Sequence, residues 1–122
     1  MESKLIRIIK TLLSRTDSGD VQWEDASKLT EGEKFIASVG DSIVELRGGT
    51  ERSNSVDEYG KFWLRNITVQ ILNAKGLVVT EHEFTEDTMR DYEIVEKLFL
   101  AARTSARRTD AVLDSLLQKL GA

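Results

Sequence analysis

Alternation of apolar and polar residues extends through the middle of this chain, from Lys34 to Phe84. Successive side chains of a strand point to opposite faces, so a period of two is typical of strands that are buried on one face. Glycine-containing turns interrupt the pattern at Gly40-Asp41 and at the segment from Asn73 to Gly76. Turns of this length join neighbouring antiparallel strands. The pattern therefore predicts an antiparallel meander of four to five strands.

Segments with helical periodicity precede and follow the alternating region. Apolar residues at helical spacing near the N-terminus predict an amphipathic helix that ends near Ser14. After the sheet, Thr85 is expected to cap a long helix, and Thr109 with Asp110 to cap a short final helix after a break near Arg107. An apolar stripe on that final helix is formed by Val112, Leu113, Leu116, Leu117 and Leu120. The whole chain, residues 1–122, is thus predicted to be a single α+β domain with an N-terminal helix, the meander sheet, a long C-terminal helix and a short terminal helix.

Trp23 follows a turn-forming Asp-Ser-Gly-Asp cluster and alternates with polar neighbours. This alternation predicts a short strand through Val21 and Trp23. A large aromatic ring on the core-facing side of a sheet contributes much buried area, so Trp23 is interpreted as an anchor under the first helix rather than as a ligand platform.

Two further predictions concern the remaining strands. In the hairpin at Asn73 to Gly76, Ile71 is expected opposite Val79, which places Thr80 and His82 on the face away from the core. The segment from Gly48 to Gly60 is polar and has few apolar residues. We therefore expect a mobile loop there.

Composition excludes several classes of protein. The 122 residues contain no cysteine, which removes disulfides, thiol nucleophiles and thiolate metal sites. No apolar run approaches the ~18 residues of a membrane span, and no signal peptide is recognised, so a cytoplasmic protein without membrane contact is expected. The net charge of -4 opposes general attraction to nucleic-acid phosphate.

The single histidine offers little for catalysis. In the sequence "EHEF", Glu81 and Glu83 point to one face of a strand while His82 points to the other. This geometry splits the only cluster that resembles a metal site or a catalytic triad. We therefore expect no catalytic residue, no metal and no cofactor, and an enzyme that uses carboxylates alone is the remaining catalytic alternative.

Basic residues gather near the end of the long helix, at Arg103, Arg107 and Arg108. Guanidinium groups bind phosphate and carboxylate in a bidentate manner, so the three arginines are a candidate anion-binding site. The alternative is structural, because cations near a helix C-terminus complement the helix dipole.

The chain also has more apolar positions than a sheet covered on one face requires. Met89 and Leu100 fall on the polar arc of the long helix, and Phe62 and Leu64 share the strand face opposite Trp63. An apolar surplus of this kind is typical of a partner-binding surface. The alternative is that helices cover both faces, or that these are scattered exposed residues.

Three segments carry a resemblance to other proteins: "LLSRTDSGDVQW", "VQILNAKGLVV" and "VEKLFLAARTSARRTDAVLDSLLQKL". With them the chain resembles small bacterial proteins of helix, meander and two-helix layout, a resemblance that implies no activity. Size, acidity and mixed α/β content are also similar to those of secretion chaperones, although such chaperones place a helix between two groups of strands and this chain does not.

The sequence favours a non-catalytic protein-interaction module, an adaptor or accessory subunit that is expected to self-associate as a homodimer, with another protein as the alternative partner. A binder of an anionic small molecule or nucleotide at the arginines is the first alternative, and a secretion-chaperone-like binder is the second. Nucleic acid is the partner least expected, because basic residues interleave with acids and no base-stacking aromatic motif is present.

Overall fold

Five strands and three helices make up the part of the chain that the computed structural model describes, residues 3–27, 32–52, 63–86 and 90–121. In chain order they are α1 (Lys4–Asp17), β1 (Glu24–Asp25), β2 (Glu33–Val39), β3 (Ser42–Arg52), β4 (Trp63–Leu72), β5 (Val78–Thr85), α2 (Arg90–Ala106) and α3 (Thr109–Lys119). The strands form one antiparallel sheet in the order β1-β2-β3-β4-β5. The predicted α+β layout with its meander is confirmed.

The core lies between one face of the sheet and the two helices α1 and α2. Across the central strands, Phe35 pairs with Leu46, and Leu46 pairs with Val69, so these side chains share one face. They pack in one buried cluster with apolar residues of both helices, among them Ile9 of α1 and Leu98 of α2. One face of the sheet is therefore already covered without α3.

The β4–β5 hairpin has a different register from the predicted one. Ile71 pairs with Thr80, not with Val79, and a bulge lies where Leu72 pairs with Val78. One extra residue in a strand moves every later side chain to the other face. Thr80 and His82 consequently share the face of Ile71, and the prediction that they lie on the opposite face is wrong.

The predicted loop from Gly48 is wrong for residues 48–52, which belong to β3 and pair with β4. Residues 53–60 of that loop lie outside the described residues. Gly48 is needed because the ring of Phe99 on α2 lies against its backbone: a Cβ at Gly48 would lie 2.5 Å from Cζ of Phe99. The missing side chain thus sets how closely α2 approaches the sheet.

Gly48→Ala is expected to lower the free energy of unfolding by about 1 to 3 kcal/mol, because the added methyl group overpacks the contact with Phe99. Gly49→Ala is a matched control, since its methyl group would meet only the Asn66 side-chain oxygen, at 3.3 Å. Urea unfolding of both variants measures the difference. Equal stability of the two variants would contradict the close approach of α2.

Two predictions concern element boundaries. Thr85 ends β5, where it pairs with Asn66, and α2 begins at Arg90. Residues 87–89 lie outside the described residues, so the cap at Thr85 stays a prediction. The short strand begins at Glu24 rather than at Val21, because the Trp23 amide donates to Oγ of Ser105 at 3.1 Å instead of to a strand.

The predicted break between the last two helices is confirmed. Arg108 lies between them in the left-handed region, with φ of 48°, and is the N-cap of α3 in place of the predicted Thr109. None of the helices in the described part of the chain has the length and apolar character that crossing a membrane requires.

Candidate functional site

Arg103 and Arg107 meet the same carboxylate at the end of α2. Glu33 accepts from Nε of Arg103 at 2.8 Å and from Nη2 of Arg107 at 2.8 Å, and it also pairs with Nη2 of Arg103. Asp25 contacts Nε of Arg107 at 3.4 Å. These ion pairs join the C-terminal part of α2 to β1 and β2.

An aromatic layer lies beneath the two guanidinium groups. The rings of Phe35 and Phe99 pack edge to face with centroids 5.3 Å apart. The guanidinium of Arg103 lies 5.3 Å from the centroid of Phe99, and that of Arg107 lies 5.8 Å from the centroid of Phe35. Each arginine therefore combines a carboxylate partner with a cation–π contact.

Asp25 is held in its charged form. Hydrogen bonds from Ser27, first from its side chain and then from its backbone amide, lower the pKa of Asp25 below 3.8, and Arg107 lowers it further. A depressed carboxylate pKa stabilises the folded state above pH 3.8, and this stabilisation is lost as the pH falls through the folded value.

The structure brings together only two of the three arginines of the predicted anion site. Arg103 and Arg107 share Glu33, whereas the exposed Arg108 lies at the break before α3, where it lines a groove. Anion binding by the three stays a prediction, and a phosphate-dependent rise in melting temperature would test it.

Glu33→Gln is expected to lower the free energy of unfolding by about 1 kcal/mol, since it weakens two partly exposed ion pairs at once. Glu81→Gln is the matched control, because Glu81 meets a single arginine, Arg47, at 3.4 Å in a more exposed position. Chemical unfolding at low and at high salt should show a larger loss for Glu33→Gln, with the difference reduced by salt. A loss no larger than that of the control would show that the shared carboxylate does not hold α2.

Tyr92 links α2 to the sheet at the other end of this helix. Burial, followed by the charge of Glu96 and a hydrogen bond to it, raises the pKa of Tyr92 to about 12. Glu96 also lies 3.9 Å from Nη1 of Arg65 on β4. The Tyr92 hydroxyl is therefore neutral and engaged throughout the physiological range.

This raised pKa predicts the behaviour at high pH. The folded state binds the Tyr92 proton more tightly than the unfolded state, so the stabilisation is complete below pH 10.0 and is lost as the pH rises towards about 12. Across this interval, the unfolding free energy of the wild type should fall relative to that of Tyr92→Phe as the pH rises. Parallel curves would contradict the assignment.

The helix α3 is uncovered from Ala111 onward. Every described side chain from Ala111 to Leu120 is exposed. Five large apolar residues, four in α3 and Leu120 at its C-cap, are between 52% and 71% exposed: Val112, Leu113, Leu116, Leu117 and Leu120, which we call the α3 stripe. At 3.6 residues per turn the α3 stripe covers an arc of about 140°. An arc of this width is typical of a helix that packs into a core.

A groove of 1080 Å³ lies beside the start of α3, between the end of α1 and one side of α2. Apolar residues of both helices and of the connection to β1 line it: Leu13, Val21, Trp23, Leu100 and Ala101. Charged residues line it as well, with Asp17 and Glu24 on the side of α1 and β1, and Lys97 and Arg108 on the side of α2. We call this feature the α1–α2 groove.

The predicted partner-binding residues are only partly described. Leu100 is 46% exposed and lines the α1–α2 groove, as its place on the polar arc suggested. Phe62 and Met89 lie outside the described residues, and of Leu64 only the backbone, in β4, is described. The sequence revealed the α3 stripe but not its exposure, because an apolar stripe does not show which surface covers it.

No family model matches this chain, and no curated protein or solved structure shows a significant match to it. Within residues 3–27, 32–52, 63–86 and 90–121, no group of three or more histidine, aspartate or glutamate side chains is placed to hold a metal ion.

Proposed function

We propose that this protein is a non-catalytic interaction module that self-associates through the α3 stripe. The exposure of the stripe carries the proposal: five large apolar side chains within the nine residues from Val112 to Leu120 form one continuous face. Contiguous apolar surface of this kind is uncommon on a monomer and is typical of protein–protein interfaces. Single exposed apolar residues, which are ordinary, do not form such a stripe.

The energetics of α3 favour a complex in which the stripe is buried. An isolated helix shorter than about 12 residues is marginally stable in water. Full burial of a leucine contributes about 1.5 to 3 kcal/mol, so covering the exposed half of one stripe residue contributes about 1 kcal/mol. Five residues then contribute about 5 kcal/mol, close to what a millimolar complex needs, whereas a micromolar complex needs about 8 kcal/mol. A stable complex of useful affinity must therefore bury more than one stripe, as a symmetric dimer does.

Sedimentation velocity over a range of concentrations tests this function with two matched double variants. Leu116→Glu with Leu117→Glu places two carboxylates on the α3 stripe, and Leu77→Glu with Val79→Glu places two on the exposed apolar tip of the β4–β5 hairpin. The wild type and the hairpin variant should approach twice the chain mass as concentration rises, and the α3 variant should stay at one chain mass. A wild type that remains monomeric at millimolar concentration would contradict the proposal, as would an α3 variant that dimerises like the wild type.

A further inference from the structure

We infer that the α3 stripe of one copy lies in the α1–α2 groove of a second copy, and that the α3 stripe of the second copy lies in the groove of the first. A dimer then forms by reciprocal exchange of helices. This inference rests on the proposed self-association and names its binding site. The site on each chain is then incomplete without the other chain.

The shapes of the two surfaces agree. In a coiled-coil seam, two of every seven residues contact a single partner helix. In the α3 stripe, five of the nine residues from Val112 to Leu120 are apolar, so the stripe covers a wider arc. A stripe of this width needs a receiving surface that is built from at least two elements. The α1–α2 groove provides such a surface, with Leu13 from α1 and Leu100 from α2 among its apolar lining.

The charges of the two surfaces are complementary. At 100° per residue, Asp114 and Lys119 lie on opposite flanks of the α3 stripe, and both are exposed. The groove has an acidic side and a basic side, formed by Asp17 with Glu24 and by Lys97 with Arg108. In one of the two directions along the groove, the α3 helix places its acidic flank on the basic side and its basic flank on the acidic side. Complementary charge of this kind fixes orientation in an interface.

The connection between α2 and α3 favours a second copy over the chain's own groove. Arg108 holds a left-handed conformation with φ of 48°, which directs α3 so that its stripe stays exposed beside the groove that Ala111 and Arg108 line. For α3 to close on its own groove, this short connection must change conformation. A second copy fills the groove with the connection as it stands, and short connections of this kind are known to favour exchange between protomers.

A mixing experiment tests the exchange. The stripe variant, Leu116→Glu with Leu117→Glu, keeps an intact groove, and the groove variant, Leu100→Glu, keeps an intact α3. Each variant alone should have a dissociation constant raised at least about 30-fold, because a charge then lies in a buried hot spot. Mixed together at millimolar concentration, they should form a heterodimer that is weaker than the wild-type dimer, since one intact α3 then fits one intact groove while the second stripe and groove both carry the substitutions. Native mass spectrometry identifies it, because the two chains differ in mass.

Other results of the mixing experiment would overturn the exchange of helices, the self-association through α3, or both. Two monomeric variants that form no heterodimer would overturn the inference, because the stripe and the groove would not face each other. A Leu100→Glu chain that dimerises like the wild type would also overturn it, while a monomeric stripe variant would leave self-association through α3 intact. A monomeric wild type would overturn both the proposed self-association and the inferred exchange of helices. If Leu100→Glu fails to keep the wild-type circular dichroism spectrum, Lys97→Glu, an exposed residue on the basic side of the groove, takes its place.

Discussion

Replacing Trp23 by alanine is expected to lower the free energy of unfolding by about 3 to 5 kcal/mol. The side chain is only 3% exposed and belongs to the main core cluster. Its Nε1 donates to Oγ1 of the buried Thr16 on α1 at 2.9 Å, and its backbone amide donates to Oγ of Ser105 on α2 at 3.1 Å. Trp23 therefore holds both helices to the start of the sheet, and its loss opens a large cavity.

Trp23→Phe separates packing from hydrogen bonding at this site. The phenylalanine ring retains much of the buried surface but leaves the Thr16 hydroxyl without its indole donor. We expect a loss of about 1 to 3 kcal/mol, which is the cost of a buried polar group left without its partner together with some loss of packing. Guanidinium unfolding followed by far-ultraviolet circular dichroism measures both variants. A Trp23→Ala chain with wild-type stability would mean that Trp23 serves binding rather than the core.

The second large effect is expected from removing α3. At the lowest concentration, the free energy of unfolding of a chain that ends at Arg108 should differ from that of the wild type by no more than about 0.5 kcal/mol. The reason is that the exposed side chains of α3 contribute little to the core. The wild type should gain about 1.4 kcal/mol per mole of dimer, or about 0.7 kcal/mol per chain, for each tenfold rise in concentration above its dissociation constant, since a dimer stabilises the folded state by mass action. The shortened chain should show no such gain.

Thermal melts at several concentrations measure this difference, and the hairpin variant Leu77→Glu with Val79→Glu serves as the control that keeps α3. Its melting temperature should rise with concentration like that of the wild type. A concentration-independent wild type would remove the thermodynamic basis for the proposed dimer. If the free energy of unfolding of the shortened chain is instead several kcal/mol lower at low concentration, α3 contributes to the fold of its own chain.

Local patterns of the sequence predict the architecture well. The alternation from Lys34 includes Phe35, Ala37 and Val39 and predicted β2, and the long helix predicted after the sheet is α2. Both predictions rest on interactions between residues a few positions apart. Gly40-Asp41 likewise predicted the tight β2–β3 turn, where Val39 pairs with Ser42.

The errors arise where distant residues decide the local conformation. The polar sequence after Gly48 is typical of a loop, whereas in the fold Phe99, far along the chain, lies against the Gly48 backbone. Trp23 leaves the strand because Ser105 accepts its amide hydrogen. The bulge near Leu72 changes the register of β5 by one residue, which no pattern of period two can reveal.

In the candidate sites, too, local patterns are visible in the sequence and contacts between distant residues are not. The sequence shows that Arg103 and Arg107 lie one turn apart, but their shared partner Glu33 is about 70 positions away and becomes apparent only in the fold. The α3 stripe is visible as a pattern, yet its exposure depends on α1 and α2 having already covered the sheet. A surface that is left over after the core is complete can be identified only once the core is known.

Hydrogen exchange of the α3 backbone amides, measured at several protein concentrations, tests most directly whether α3 needs a partner. Because a helix of this length is marginal in water, its amides should exchange rapidly in the dilute protein and become protected as the concentration rises, while the amides of Leu46 and Val69 in the sheet are already protected in the dilute protein. Protection of α3 that is already complete in the dilute protein, or that never develops in the concentrated protein, would contradict self-association through this helix.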